Sequence, residues 1–171
     1  MSGLTWDGAV YIARIAAFLP LILYVSWTDM RRHIIPDRAL LLGAAAAIAI
    51  AAADSVISHT FKPLLQLLLG ALAGGLPLFL AILISRGKMG AGDMKLLAVM
   101  GAMFGVLQVL LCMFFGILFA GLFSVVALAV KKANRQTMIP LAPFFAAGWL
   151  FITVFRTPLS TLLWLYYGIS L

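Results

Sequence analysis

Long apolar runs, divided by short polar segments, set the pattern of this chain. The first runs from about Gly8 to Trp27, the second from Ala39 to Ile57 and the third from Pro63 to Ile84. Each has roughly the 20 residues that a helix needs to cross a hydrocarbon core about 30 Å thick. The stretch from Asp93 to Val130 is too long for one crossing, since its helix would extend roughly 57 Å at about 1.5 Å per residue. The pattern therefore predicts a break near Gly105 to Gln108 and a short helix before it. The last apolar segment spans about Leu141 to Tyr167, and Arg156-Thr157-Pro158 is expected to end or kink it. These segments predict an all-α membrane protein, a bundle of about six transmembrane helices forming a single polytopic domain over residues 1–171.

Composition agrees. The 171 residues are 65% hydrophobic and 10% charged, against about 25% charged residues in soluble domains, so the expected solvent is the lipid bilayer. The first run lacks the N-terminal positive charge of a standard signal peptide. Net charge is +7, but the placement of the basic residues points to topology and not to nucleic acid. Arg31, Arg32 and Arg38 follow the first run; Arg86, Lys88 and Lys95 flank the loop after the third; Lys131, Lys132 and Arg135 follow the fifth. Six spans put all nine on one side, which the positive-inside rule makes cytoplasmic, with the N-terminus outside. Arg14, inside the first span, is expected to snorkel to the headgroups, the alternative being a functional pairing. Gly70-x-x-x-Gly74 and Gly101-x-x-x-Gly105 fit close helix packing. Cys112, the single cysteine, reads as a small packing residue.

Carboxylate chemistry must come from five aspartates, because the chain has no glutamate: Asp7, Asp29, Asp37, Asp54 and Asp93. The expected topology leaves Asp29, Asp37 and Asp93 at the cytoplasmic face. Asp37 follows Pro36 at the start of the second span, where an aspartate caps free helix amides. Asp29 ends a span, where the helix dipole disfavours negative charge. Either Arg31 or Arg32 pairs with it at the surface, or the site needs it. Asp93 follows Gly92 and reads either as an N-cap or as a functional carboxylate. Gly87, Gly90 and Gly92 favour the second, since they permit close backbone approach and positive φ. Irregular backbone at membrane depth is tolerated where it is buried or lines a water-filled cavity. Two carboxylates at one membrane face suit aspartic proteolysis, in which one takes a proton from water and the other donates to the scissile carbonyl. His33 and His59 form no metal-spaced cluster, so no metal is expected, and no serine-nucleophile motif stands out.

At these residues the chain resembles the bacterial type IV prepilin peptidases. Asp29-Met30-Arg31-Arg32-His33-Ile34-Ile35-Pro36-Asp37 looks like that family's aspartate, six intervening residues, proline, then Asp or Asn. Gly87-Lys88-Met89-Gly90-Ala91-Gly92-Asp93-Met94-Lys95-Leu96-Leu97 is similar to its G-x-G-D-x-K-L block, and Ile139-Pro140-Leu141-Ala142-Pro143-Phe144 is a weaker echo. The resemblance implies that Asp29 and Asp93 are the catalytic pair, with Gly90, Gly92, Lys95 and Pro36 binding substrate or shaping the loops. It implies cleavage of a prepilin or pseudopilin leader by a multi-pass protein of the bacterial cytoplasmic (inner) membrane, with no cofactor and no nucleic-acid partner. Only 28 residues precede Asp29 and paired Cys-x-x-Cys motifs are missing. The chain therefore looks like the short Flp-type peptidases, with no N-terminal zinc or methyltransferase-type region expected. The competing reading is a non-enzymatic membrane protein, a small transporter or a pilus-assembly subunit.

Overall fold

The computed structural model describes the backbone of residues 2–85, 90–130 and 140–167, and the side-chain environments of residues 8–85, 90–130 and 140–155. It contains six helices: α1 (Ser2–Arg32), α2 (Asp37–Ser58), α3 (Lys62–Ile84), α4 (Ala91–Phe104), α5 (Val106–Ala129) and α6 (Ala142–Tyr167). No strand occurs among the described residues. The segments Gly8–Arg32, Asp37–Ser58, Lys62–Ile84 and Val106–Ala129 are long and apolar enough to cross a membrane. At 14 residues, α4 covers only about 21 Å at 1.5 Å per residue, short of a full crossing. Leucines, isoleucines and phenylalanines cover the outside, among them Leu42 at 73% exposure and Ile117 at 53%. A continuous apolar exterior of this kind needs lipid around it.

The expected break falls at Gly105, whose φ of 87° and ψ of 178° end α4 and start α5. Residues with a Cβ essentially never adopt that region. α6 does not end at Arg156-Thr157-Pro158 but continues through it to Tyr167. Proline inside a membrane helix is compatible with this, because neighbouring groups can satisfy the backbone carbonyl it frees. Pro20 and Pro77 likewise lie inside α1 and α3.

Glycines bring the helices together. A Cβ on Gly70 would overlap the Gly101 carbonyl, one on Gly101 would overlap the Gly70 carbonyl, and one on Gly74 would overlap that of Leu97. The backbones of α3 and α4 are thus in direct contact, as the small-residue spacing predicts. Gly116 of α5 likewise lies under the Phe145 ring of α6, where the Cys112 thiol donates to the Phe145 carbonyl at 3.2 Å. Phe18, Phe104 and Trp149 join α1, α4 and α6 in one aromatic core, with ring centroids 5.2–5.7 Å apart.

The helices alternate in direction, as two sets of contacts show. At one end Arg14 of α1 meets Asp54 of α2 and Gln108 of α5 donates to the Tyr11 hydroxyl. At the other end α1 finishes and α2, α4 and α6 begin. Arg14 corrects the expectation of simple snorkelling, for its guanidinium lies 3.4 Å from the Asp54 carboxylate and both side chains are mostly buried. A partner at bundle depth lowers the cost of holding that charge away from water.

Candidate active site

Asp29 lies in the last turn of α1. His33 closes that turn with its backbone N–H on the Asp29 carbonyl at 2.9 Å and then turns left-handed at φ 50°. The chain passes through Ile34 and Ile35 to Pro36, which stands extended at φ −73° and ψ 120° as the N-cap of α2. Proline restricts the residue before it to extended conformations, so the motif from Asp29 to Asp37 is a short, stiff link between antiparallel helices.

The Asp29 side chain is only 7% exposed, and its Oδ2 accepts the backbone N–H of Ala142 at 3.0 Å. Ala142 is the first residue of α6. The amide would otherwise be one of the unsatisfied donors at a helix start, and the partial positive charge there complements a carboxylate. It offsets the unfavourable position of Asp29 at the end of its own helix. Arg31 does not play this part: its guanidinium stacks 4.5 Å from the Trp27 ring centroid. Among the described residues neither Arg31 nor Arg32 forms an ion pair with Asp29. Ser26, one turn earlier on α1, is also buried, and its hydroxyl has no protein partner among the described residues.

Asp93 lies in the first turn of α4, outside the four long apolar helices. The N-cap there is Gly90, and no side-chain capping bond forms, so the capping alternative for Asp93 does not hold. Burial, and then the negative charge of Asp29 nearby, push the Asp93 carboxyl up to about 6. Two motifs far apart in sequence therefore supply carboxylates that interact in one partly buried site. The Gly90 Cα faces the same group, since a Cβ added there would stand 4.0 Å from Asp93 Oδ2.

The glycines of the second motif act by close approach and not by unusual backbone. Gly90 has φ −69° and Gly92 is helical, whereas Gly87 lies outside the described residues. A Cβ on Gly92 would come within 2.9 Å of the Ile35 Cβ. The missing side chain thus lets the Asp29–Asp37 link lie directly on α4. Lys95 completes the junction with a 2.7 Å ion pair to Asp37 Oδ1, both side chains being well exposed. Asp37 is accordingly not the expected cap. It is the first residue of α2, makes no side-chain capping bond, and holds Lys95 instead. Pro36 supplies the cap position and the Pro36 carbonyl accepts the Ala39 N–H at 3.1 Å. No group of three or more potential metal ligands occurs among the described residues.

The Ala142 amide is the site group that sequence reasoning missed. The available signal was the double-proline segment Ile139 to Phe144, which positions the start of α6. The expected basic residues Arg86, Lys88, Lys131, Lys132 and Arg135 lie outside the described residues.

Comparison with known proteins places these motifs in a common setting. The prepilin leader peptidase/N-methyltransferase of Bacillus subtilis is 34% identical over 134 residues, which cover 77% of this chain and 51% of that protein. The chain thus aligns with about half the length of that relative. No solved structure matches it significantly. Residues 16–125 match the type IV leader peptidase family, a region that holds both Asp29 and Asp93 with the motifs around them, and the chain belongs to that family.

Proposed function

We propose that this protein is an intramembrane aspartic endopeptidase that removes the leader from type IV prepilins or pseudopilins of the Flp kind, with Asp29 and Asp93 as its catalytic pair. One observation carries the reading: two buried or half-buried carboxylates, delivered by separate motifs, interact at one end of an apolar bundle. Family membership supports the reaction class. The matched relative's name supplies the substrate class.

Two carboxyl groups that share one proton can hydrolyse a peptide without a cofactor. The ionised member takes a proton from water as the oxygen attacks the scissile carbonyl, and the protonated member hydrogen-bonds the carbonyl oxygen as charge develops there. The proton then passes to the leaving amine. The pair titrates as a unit. The Ala142 amide holds one oxygen of Asp29 in place, and the Gly92–Ile35 contact sets the two motifs against each other.

The substrate is a single apolar helix that enters sideways from lipid with its polar leader in the cytoplasm. Arg31, Arg32, Arg38 and Lys95 lie at the site's end of the bundle, which supports placing it at the cytoplasmic face of the inner membrane. Cutting deeper would carry unsatisfied polar groups into hydrocarbon. A transporter is the weaker reading, because such proteins keep their ionisable groups near the midplane, whereas this pair lies at one edge.

Co-expression with a candidate prepilin tests the proposal through the gel shift of leader removal. Asp29→Asn and Asp93→Asn are expected to abolish cleavage while the protein still accumulates in the membrane. Substantial cleavage by either variant would remove the aspartic mechanism.

A further inference from the structure

A groove of about 460 Å³ runs along the seam of α1 and α2, reaching Pro36 of the Asp29–Asp37 link but lined by neither Asp29 nor Asp93. Its walls are apolar: Ala17 and Leu21 on α1, Leu42 and Ala46 on α2. Its mouth carries two polar side chains, Tyr24 and Arg38, both exposed. Arg38 has no ion-pair partner among the described residues. Of the neighbouring cations, Lys95 is taken by Asp37 and Arg31 stacks on the Trp27 ring, while Arg32 forms no ion pair among the described residues but lies outside the groove lining.

We infer that this groove binds one anionic phospholipid, its phosphate on Arg38 and one acyl chain laid between α1 and α2.

Three features select this occupant. First, the mouth is cationic and the walls are apolar, which complements an amphiphile with a negative head. Basic pockets between membrane helices take anionic headgroups for the same reason. Second, the mouth sits at headgroup level. Tyr24 and Trp27 are exposed on α1 one turn apart, and such aromatic residues mark the membrane interface. Third, the length fits one leaflet. From Arg38 to Ala46 the groove follows α2 for about 12 Å at 1.5 Å per residue, close to half of a ~30 Å core. A spanning helix would need a furrow of about twice that length and room for a cylinder roughly 10 Å across. An acyl chain needs neither.

The inference is independent of the proteolytic reading, because its test is binding. The protein is reconstituted in nanodiscs with equal amounts of phosphatidylglycerol and phosphatidylcholine of the same chains, then released for native mass spectrometry. Wild type is expected to retain phosphatidylglycerol about tenfold over phosphatidylcholine. Arg38→Gln should bring the ratio to near unity and Arg38→Lys should keep most of it. Arg32→Gln, a basic residue outside the groove, should leave it unchanged. Ala46→Phe, which fills the groove from its wall, should remove the retained lipid. Inorganic phosphate at millimolar concentration should displace nothing, since the chain supplies most of the contact. Equal retention of the two lipids by wild type overturns the inference, whatever the variants do. So does an Arg38→Gln protein that keeps the preference. An Ala46→Phe protein with unchanged lipid but reduced cleavage of a pilin-type helix would give the groove to the substrate instead.

Discussion

Asp29 and Ala142 are joined by a single hydrogen bond, and that bond can be removed without changing a side chain of the proposed catalytic pair. Proline lacks the N–H and is well suited to the first position of a helix. Ala142→Pro should therefore let α6 start normally while freeing Asp29 Oδ2. Bonds to charged groups contribute about 1.5–3 kcal/mol, so cleavage should fall by roughly ten- to a hundredfold. Ala142→Gly keeps the amide and should stay within a few-fold of wild type. An Ala142→Pro enzyme as active as wild type would show that the contact does not position Asp29. A second residue-scale expectation follows from Asp93, whose carboxyl holds its proton up to about 6. Because that group's affinity for its proton is raised, the singly protonated pair is present below this pH and is lost as pH rises through it. The kcat/KM for a prepilin peptide should accordingly decline on the alkaline side of about pH 6. A profile flat from pH 5 to pH 9 would contradict a shared proton. Asp37 offers a control at the same end of the bundle: Asp37→Asn leaves Asp29 and Asp93 untouched and loses only an exposed ion pair, which is worth about 0–1 kcal/mol.

At the scale of elements, two glycine positions show how differently the same residue is used. Gly101 touches the backbone of α3, whereas nothing lies within 4 Å of a Cβ on Gly121. Gly101→Ala should lower the melting temperature of the purified protein strongly. Gly121→Ala should leave it unchanged or raise it slightly, since alanine is the better helix former by about 1 kcal/mol. Gly105→Ala should cost about 1–3 kcal/mol for strain at its positive φ, with no clash involved, since space around it is open. Equal effects at Gly101 and Gly121 would mean that helix propensity and not backbone contact governs α4. These elements also mark what was legible in the sequence. The all-helical membrane class, the break near Gly105 and the use of Gly70, Gly74 and Gly101 in close helix packing were readable, because length, hydropathy and small-residue spacing are local signals. The approach of Asp29 to Asp93 was readable because few carboxylates exist in so apolar a chain. The roles of Asp37, Arg14 and Ala142 were not. Asp37 has the composition of a cap but finds a lysine from α4; Arg14 finds Asp54 across the bundle; Ala142 acts through its backbone, which no side-chain pattern reports. Each of these depends on a neighbour distant in sequence, and only packing determines which neighbour that is.

For the whole molecule, the alternating helices make a topological prediction. Single cysteines at Arg32, Lys88 and Lys132, in a Cys112→Ser background, should all be shielded from an impermeant thiol reagent in intact cells and should react after permeabilisation. The Cys112→Ser background makes each introduced cysteine the single one in the chain, and serine keeps a donor for the Phe145 carbonyl. Labelling of the Lys132 position from outside would overturn the expectation that the three basic loops share one side of the membrane.

The bond between Asp29 and Ala142 has a further consequence for how the site is delimited. The family match ends at residue 125, before α6 begins, and yet α6 provides the donor that steadies Asp29. A fragment holding residues 1–130 would keep both aspartates and every residue of the first two motifs, but its Asp29 would lose the Ala142 amide. Such a fragment should be inert alone. Supplying residues 136–171 as a separate chain should restore cleavage in part, through non-covalent docking of α6 against α5 and α1. On the proposed function, α6 is therefore part of the working site although it lies beyond the family segment.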